Sequence, residues 1–398
     1  MRVPLLDLKE QLQPLRDEIV AGVTEIIDST GYILGEKVSL FESEIARYCQ
    51  TRHAIGVSSG TDALLATLMG LGIGPGDRVL TTPYTFIATV GCIIRLGAVP
   101  VFADIDPLSF NINPDEVERI VEESHGKNQI KLILPVHLYG QCAQMDRILA
   151  VAQKHDIPVV EDAAQAIGAT FPMVVDGKTV WMRAGSMGTA GCFSFFPSKN
   201  LGGIGDGGMI TLQDDILAEK IERIRVHGGK PKYHHEVVGG NFRLDPIQAV
   251  ALSVKLPHLP RWHEGRRQNA RLYRTLFSQA GLGIADTVVL PNEIYAQQAA
   301  GEQSPPDHHI YNQFVIRVRK RDQLLNFLLE NQIGVEIYYP IPMHQQGCVK
   351  GLGLPFPEFP EAEKASVETL ALPIYPELTA EMQQFVVDKI VEFYKKVV

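Results

Sequence analysis

The chain reads as an α/β protein with a large sheet domain and a smaller C-terminal domain. Three observations predict this. From Ala54 onward, short apolar runs alternate with helical segments, which is the pattern of a sheet with crossover helices. Pro257 and Pro260 then punctuate the chain, dividing residues 1–256 from residues 257–398. At 398 residues the polypeptide is long enough for two cores.

The elements follow in order. Leu12, Leu15, Ile19, Val23 and Ile26 have helical spacing and predict a helix over 10–28; Phe41, Ile45 and Tyr48 predict another over 39–49. Residues 54–57 form the first strand, and Ser58-Ser59-Gly60-Thr61-Asp62 opens the helix 63–71. Small hydroxyl residues there cap the helix, and the same free N–H groups favour an anion. Strands are expected at 78–81, 99–103, 130–138 and 157–160, with helices running to Leu96 and over 145–155. Met173 to Trp181 is a hairpin on an Asp176-Gly177 turn. Helices over 216–225 and 246–254 close the first domain. The second domain is expected to hold helix 262–279, a polar loop 297–307, strand 310–318, helix 322–332, strand 335–339 and helix 380–396.

Hydrophobic content of 45% and charged content of 21% are those of a globular protein. A net charge of -9 without a basic block argues against nucleic acid as a partner. No apolar run spans a bilayer and the first residues lack a signal-peptide core, so no membrane partner and a cytoplasmic address are expected. Five cysteines without a C-x-x-C pair read as reduced thiols. His234-His235 and His308-His309 would point to opposite faces of a strand, so no metal site is expected.

Two stretches carry the chemistry. Glu161-Asp162 lies just past a buried strand, at the carboxyl edge of the sheet where open α/β folds bind ligands. Lys199 follows the strand that ends near Pro197 and enters a glycine-rich loop, where loss of water can lower an ammonium pKa enough for nucleophilic or Schiff-base chemistry. Gly203, Gly205 and Gly208 spell G-x-G-x-x-G, but a dinucleotide fingerprint opens a helix and these lead into the strand-like Gly208-Met-Ile-Thr-Leu. Phosphate cup, aromatic residue, acidic strand end and strand-end lysine occur in one domain, and these are the parts a pyridoxal phosphate enzyme needs.

Nine segments in order carry a resemblance over nearly the full length. They are Val3-Pro-Leu-Leu-Asp-Leu, Gly31-Tyr-Ile-Leu-Gly, Ser59-Gly-Thr-Asp-Ala-Leu, Tyr84-Thr-Phe-Ile-Ala-Thr, Pro135-Val-His-Leu-Tyr-Gly, Glu161-Asp-Ala-Ala-Gln-Ala, Ser194-Phe-Phe-Pro-Ser-Lys-Asn-Leu-Gly, Gly240-Asn-Phe-Arg-Leu-Asp and Tyr338-Tyr-Pro-Ile-Pro-Met-His. With these the chain resembles the DegT/DnrJ/EryC1/StrS family of sugar aminotransferases. The resemblance implies PLP fold type I, with a mostly parallel mixed sheet flanked by helices, and pyridoxal 5'-phosphate as cofactor.

It also implies roles. Lys199 would be the Schiff-base lysine, Asp162 the partner of the pyridine nitrogen, Gln165 a contact of the ring hydroxyl and Phe86 the stacking ring. Gly60, Thr61 and Ser194 would hold phosphate, and Asn241 would reach the phosphate of a neighbouring subunit in a homodimer with shared sites. Arg243, Tyr339 and His344 would face the substrate. The implied reaction moves an amino group from an amino-acid donor, L-glutamate, to a nucleotide-linked keto-sugar at C3 or C4, and the Phe195 to Gly202 wording leans to C3. The same fold also serves sugar dehydrases, amino-cyclitol aminotransferases and non-catalytic regulatory relatives. Dehydrase relatives replace the lysine with histidine, so Lys199 favours transamination. Ile167 departs from the pattern, since many members have histidine there.

Overall fold

A computed structural model describes residues 1–229, 231, 233–281, 287–302 and 306–397. The main sheet is built from β1 (His53–Val57), β2 (Arg78–Thr81), β3 (Val99–Phe102), β4 (Ile130–Ile133), β5 (Val160–Asp162), β8 (Ala190–Ser194) and β9 (Gly208–Leu212), while β6 (Thr170–Val175) and β7 (Lys178–Arg183) form a separate hairpin. Strands β1-β9-β8-β5 and β4-β2-β3 are two hydrogen-bonded groups, joined by the parallel bridges Ile133 to Val159 and Val136 to Asp162. Within this sheet, among the described residues, only β9 runs against its neighbours. The carboxyl ends of β1, β8, β5, β4 and β2 therefore meet at one edge.

The helix Gly60–Gly70 leaves that edge from β1 and is buried along most of its length. It packs with Ile55, Val79, Cys192 and Ile210 on one face of the sheet; a second core, with Phe41, Ile133, Phe193, Leu244 and Leu252, fills the other. The expected helix over 10–28 is broken: Leu8–Leu12 and Arg16–Ser29 are separated by a 3-10 turn at Gln13–Leu15, where Pro14 has no N–H to continue the ladder. The hairpin is longer than expected, and Asp176 and Gly177 both have positive φ, as a type I′ turn demands. The strand expected to reach Leu138 is regular only to Ile133; Val136 still bridges Asp162, and a 3-10 turn at Leu138–Gly140 ends the run.

Around a separate core β10 (Val288–Val289), β11 (Phe314–Val318) and β12 (Thr369–Leu372) form an antiparallel sheet against the helices Leu259–Gln279, Arg321–Glu330 and Ala380–Val397. Val3 sits in this core, through a parallel bridge to Ile333. The strand expected over 335–339 is a single bridge, Glu336 to Ala371. The carbonyl of Tyr338 accepts from the hydroxyls of Tyr84 and Tyr139 instead of a strand ladder. Of the expected polar loop 297–307, residues 296–299 are helical and residues 303–305 lie outside the described residues. No described helix is long and apolar enough to cross a membrane. Cys49, Cys92, Cys142 and Cys192 are buried free thiols, and Cys348 is exposed.

Candidate active site

A cavity of about 450 Å³ lies at the carboxyl edge of the main sheet. Gly60, Thr61, Phe86, Asp162, Gln165, Ser194, Lys199 and Tyr339 all line it, so eight of the eleven residues expected at the site converge. Three lie outside that lining. Asn241 is exposed, and Arg243, on a bridge to Val57, lies beside the Ser58–Gly60 turn. His344 is buried, with Nε2 2.9 Å from Glu363 Oε1 and its ring edge-on to Phe359.

One end of the cavity is a helix N-terminus. Ser59 caps the helix by accepting from Asp62 N at 3.1 Å, which leaves the N–H groups of Gly60 and Thr61 facing the lining. Gly60 is required by close approach, since a Cβ there would stand 2.6 Å from Ser194 Cβ. The turn and the β8 terminus are thus pressed together, placing the Ser194 hydroxyl beside free backbone donors. Such an end favours an anion.

At the opposite wall Asp162 ends β5 with its side chain buried. Its Oδ2 accepts from Thr89 Oγ1 at 2.8 Å and its Oδ1 from Ala164 N at 3.2 Å. Loss of water pushes this carboxyl up from its ordinary value, against the lowering effect of these bonds and of Lys199. Lys199 is half-buried, and among the described residues its ammonium has no hydrogen-bond partner. Burial pulls it down from 10.5 to about 8, while Asp162 acts in the opposite direction.

Phe86 is 55% exposed and forms part of the cavity wall. Gln165 Oε1 accepts from Tyr139 N at 2.7 Å, while its Nε2 donates to Tyr339 Oη at 3.0 Å. Tyr339 is held in turn through its N–H, which donates to Tyr84 Oη at 3.1 Å.

Sequence reasoning missed the supports behind these groups. Thr85 and Thr89 share a 2.9 Å hydrogen bond below Asp162. His137 and Glu161 form a fully buried pair at 2.8 Å, and Glu161 also accepts from the N–H groups of Gly185, Met187 and Gly188. Ala143 N donates to His137 Nδ1, which leaves the ring hydrogen on Nε2 for Glu161. The adjacent Glu161-Asp162 pair was the available signal: residues alternate faces along a strand, so one carboxylate meets the cavity and the other the interior. The glycines after Lys199 also have a different use from the one their pattern suggests. A Cβ at Gly203 or Gly205 would strike the Gln248 amide, and the next element is strand β9, so they make room for a helix side chain.

A model of the DegT/DnrJ/EryC1/StrS aminotransferase family matches residues 13–391. The "Pleiotropic regulatory protein" of Geobacillus stearothermophilus is 49% identical over 395 residues, covering 99% of each chain. The UDP-N-acetyl-3-dehydro-alpha-D-glucosamine 3-aminotransferase of Acidithiobacillus ferrooxidans is 40% identical over 95% of this chain and 94% of its own. Among solved structures, S. venezuelae DesV in complex with a ketimine intermediate superposes with a TM-score of 0.87 at 36% identity, covering 98% of each chain. The chain belongs to the DegT/DnrJ/EryC1/StrS aminotransferase family.

The residues fit the cofactor of such enzymes, pyridoxal phosphate. The Gly60–Ser194 cradle has no room for a side chain at residue 60, and the backbone N–H groups and the Ser194 hydroxyl there can donate to a phosphate. Among the described residues, the buried Asp162 carboxyl forms no ion pair, and a protonated ring nitrogen would supply one.

Proposed function

We propose that this family member is a pyridoxal phosphate-dependent aminotransferase that moves an amino group from an amino acid, L-glutamate, to a nucleotide-linked keto-sugar. One observation carries the reading: an amine with depressed basicity, Lys199, and a buried carboxyl, Asp162, line the same cavity as a helix N-terminus. A structural lysine gains nothing from that setting, whereas a reactive one needs it.

Gly60 N–H, Thr61 and the Ser194 hydroxyl would hold the phosphate, Phe86 would cover one face of the ring, and Asp162 would keep a proton on its nitrogen. Gln165 would turn its amide from Tyr339 towards the ring hydroxyl. Bound there, pyridoxal phosphate supplies an aldehyde that condenses with amines and a ring that takes up electrons. With a pKa of about 8, Lys199 Nζ passes between amine and ammonium near neutral pH, so it can take a proton from one carbon and return it to another. The low exposure of Asp162 keeps water from competing for the ring nitrogen.

Of the two positions, C3 and C4, amination at C3 is supported by the activity for which the Acidithiobacillus relative is named. Tyr339 faces the sugar in the cavity; Arg243 and His344 are assigned to its nucleotide side, and Asn241 to the site of a second copy in a homodimer acting in the cytoplasm. The regulatory name borne by the Geobacillus relative supports a second reading, a non-catalytic protein. The convergence of Lys199, Asp162 and the Gly60–Ser194 cradle on one cavity favours catalysis.

The test is spectroscopic. Cofactor-loaded protein given L-glutamate should lose its long-wavelength absorbance and release 2-oxoglutarate, and a 3-keto-sugar nucleotide should restore the absorbance. Absence of keto acid with every amino acid tried would overturn the reading in favour of the regulatory one. Borohydride reduction should place pyridoxyl mass on Lys199, and mass on another lysine would refute its assignment.

A further inference from the structure

We infer that Lys255 and Gln248 are positioning residues for Lys199, an inference that rests on Lys199 being the reactive amine proposed above. Lys199 lies within an irregular excursion between β8 and β9. That excursion is closed by Phe195 N to Gly207 O and Gly203 N to Phe195 O, both 2.8 Å, while Lys199 N donates to Phe196 O at 2.8 Å. Five of the seven residues from 202 to 208 are glycine, so the segment has little stiffness of its own. Something outside it must fix where the amine stands.

The helix Pro246–Lys255 supplies two contacts. Gln248 and Lys255 are seven residues apart, hence on one face and about 10 Å apart along the axis. Gln248 Oε1 accepts from Ile204 N at 2.8 Å, its amide filling the slot left by Gly203 and Gly205. Lys255 Nζ donates to Gly202 O at 2.7 Å. Gly202 is three residues from Lys199 and folds back on Pro197, whose carbonyl oxygen would be 2.2 Å from any Cβ at Gly202. The two side chains therefore grip the segment at neighbouring points.

Lys255 is 5% exposed and forms no ion pair with a described residue. Burying an ammonium costs several kcal/mol, and methionine would fill the same volume without that cost. What the charge provides is a strong, directed bond to one carbonyl of the lysine loop. On the other flank Asn200 Nδ2 donates to Ile310 O at 3.2 Å and its Oδ1 accepts from Asn312 Nδ2 at 2.8 Å, so the residue after Lys199 is tied to the second domain. Neither Lys255 nor Gln248 lines the cavity, and their effect on Lys199 runs through the loop.

The experiment compares the parent with Lys255→Met and Gln248→Leu in two assays. Steady-state kinetics on the cofactor-loaded enzyme should show kcat reduced about tenfold or more, with KM for both substrates within about twofold. In the cofactor-free protein, the pH at which an acylating reagent labels Lys199, read by peptide mass spectrometry against an exposed lysine, should move by at least about half a pH unit. Lys255→Met should melt at or above the parent temperature. An unchanged labelling profile with kcat within about twofold of the parent, or a kcat loss that only tracks loss of folded protein, overturns the inference. Should Lys255→Met fail to fold, Gln248→Leu is read by the same criteria. The labelling assay needs no turnover, so a parent without aminotransferase activity would refute the proposed reaction and leave the loop measurement standing.

Discussion

Thr89 Oγ1 donates a 2.8 Å hydrogen bond to Asp162 Oδ2, the buried carboxylate at the end of β5. The bond favours the ionised carboxylate against the burial that disfavours it. Thr89→Val keeps the shape and removes the donor. The Asp162 carboxyl should rise further, so the acidic limb of the kcat profile should move to higher pH. A hydrogen bond to a charged group contributes about 1.5–3 kcal/mol, so kcat should fall roughly 10- to 100-fold. A pH–rate profile of the variant checks both.

Asp162→Asn removes the charge while keeping the size of the side chain and one acceptor oxygen. Amino transfer should fall by about three orders of magnitude, the scale of one preorganised electrostatic contact. The melting temperature should not drop, because the buried ionisable group is gone. Single-turnover kinetics with glutamate, beside a thermal melt, separates the two effects.

Lys199 sets a stability signature in the cofactor-free protein. Its folded pKa is about 8 against an ordinary value of 10.5, so between these limits the unfolded chain binds more protons and stability rises with pH. Below pH 8 the burial cost is present in full. Lys199→Met should therefore melt a few degrees higher than the parent at pH 7, roughly 2–4 °C, and the gap should shrink as pH rises through 8 towards 10.5. Thermal melts across that range decide it, and an undiminished gap would refute the depressed pKa. The same variant should have no amino-transfer activity.

Gly60→Ala forces a methyl group to 2.6 Å from Ser194 Cβ. Overpacking of this kind costs about 1–3 kcal/mol. Because relief must come from spreading the helix N-terminus away from Ser194, cofactor affinity should fall about tenfold or more, by fluorescence titration, while the protein stays folded. Ser194→Ala should lose affinity without loss of stability.

The sheet, its crossover helices and the lysine, carboxylate and phosphate-cup positions were legible because each is local: a strand pattern followed by the residue it delivers. Thr89, His137, Gln248 and Lys255 were not, since their partners lie 73, 24, 44 and 53 residues away and only the fold brings them together. Residues 335–339 alternate like a strand, yet the Tyr84 hydroxyl takes the hydrogen bonds a neighbouring strand would have used. β12 hides in a run ending at Pro373, too short to be read without its partner β11.

The Tyr84 hydroxyl touches Tyr338 O, Thr369 Oγ1, Tyr139 Oη and Tyr339 N, drawn from both sides of the proline boundary. Four contacts meeting at one buried oxygen act as a rivet. Moving the Tyr338–Tyr339 wall of the cavity would break them together, whereas the rings of Phe86 and Phe196, in the same lining, are exposed. Exposed side chains such as these rotate on a timescale far shorter than that of a hinge between domains.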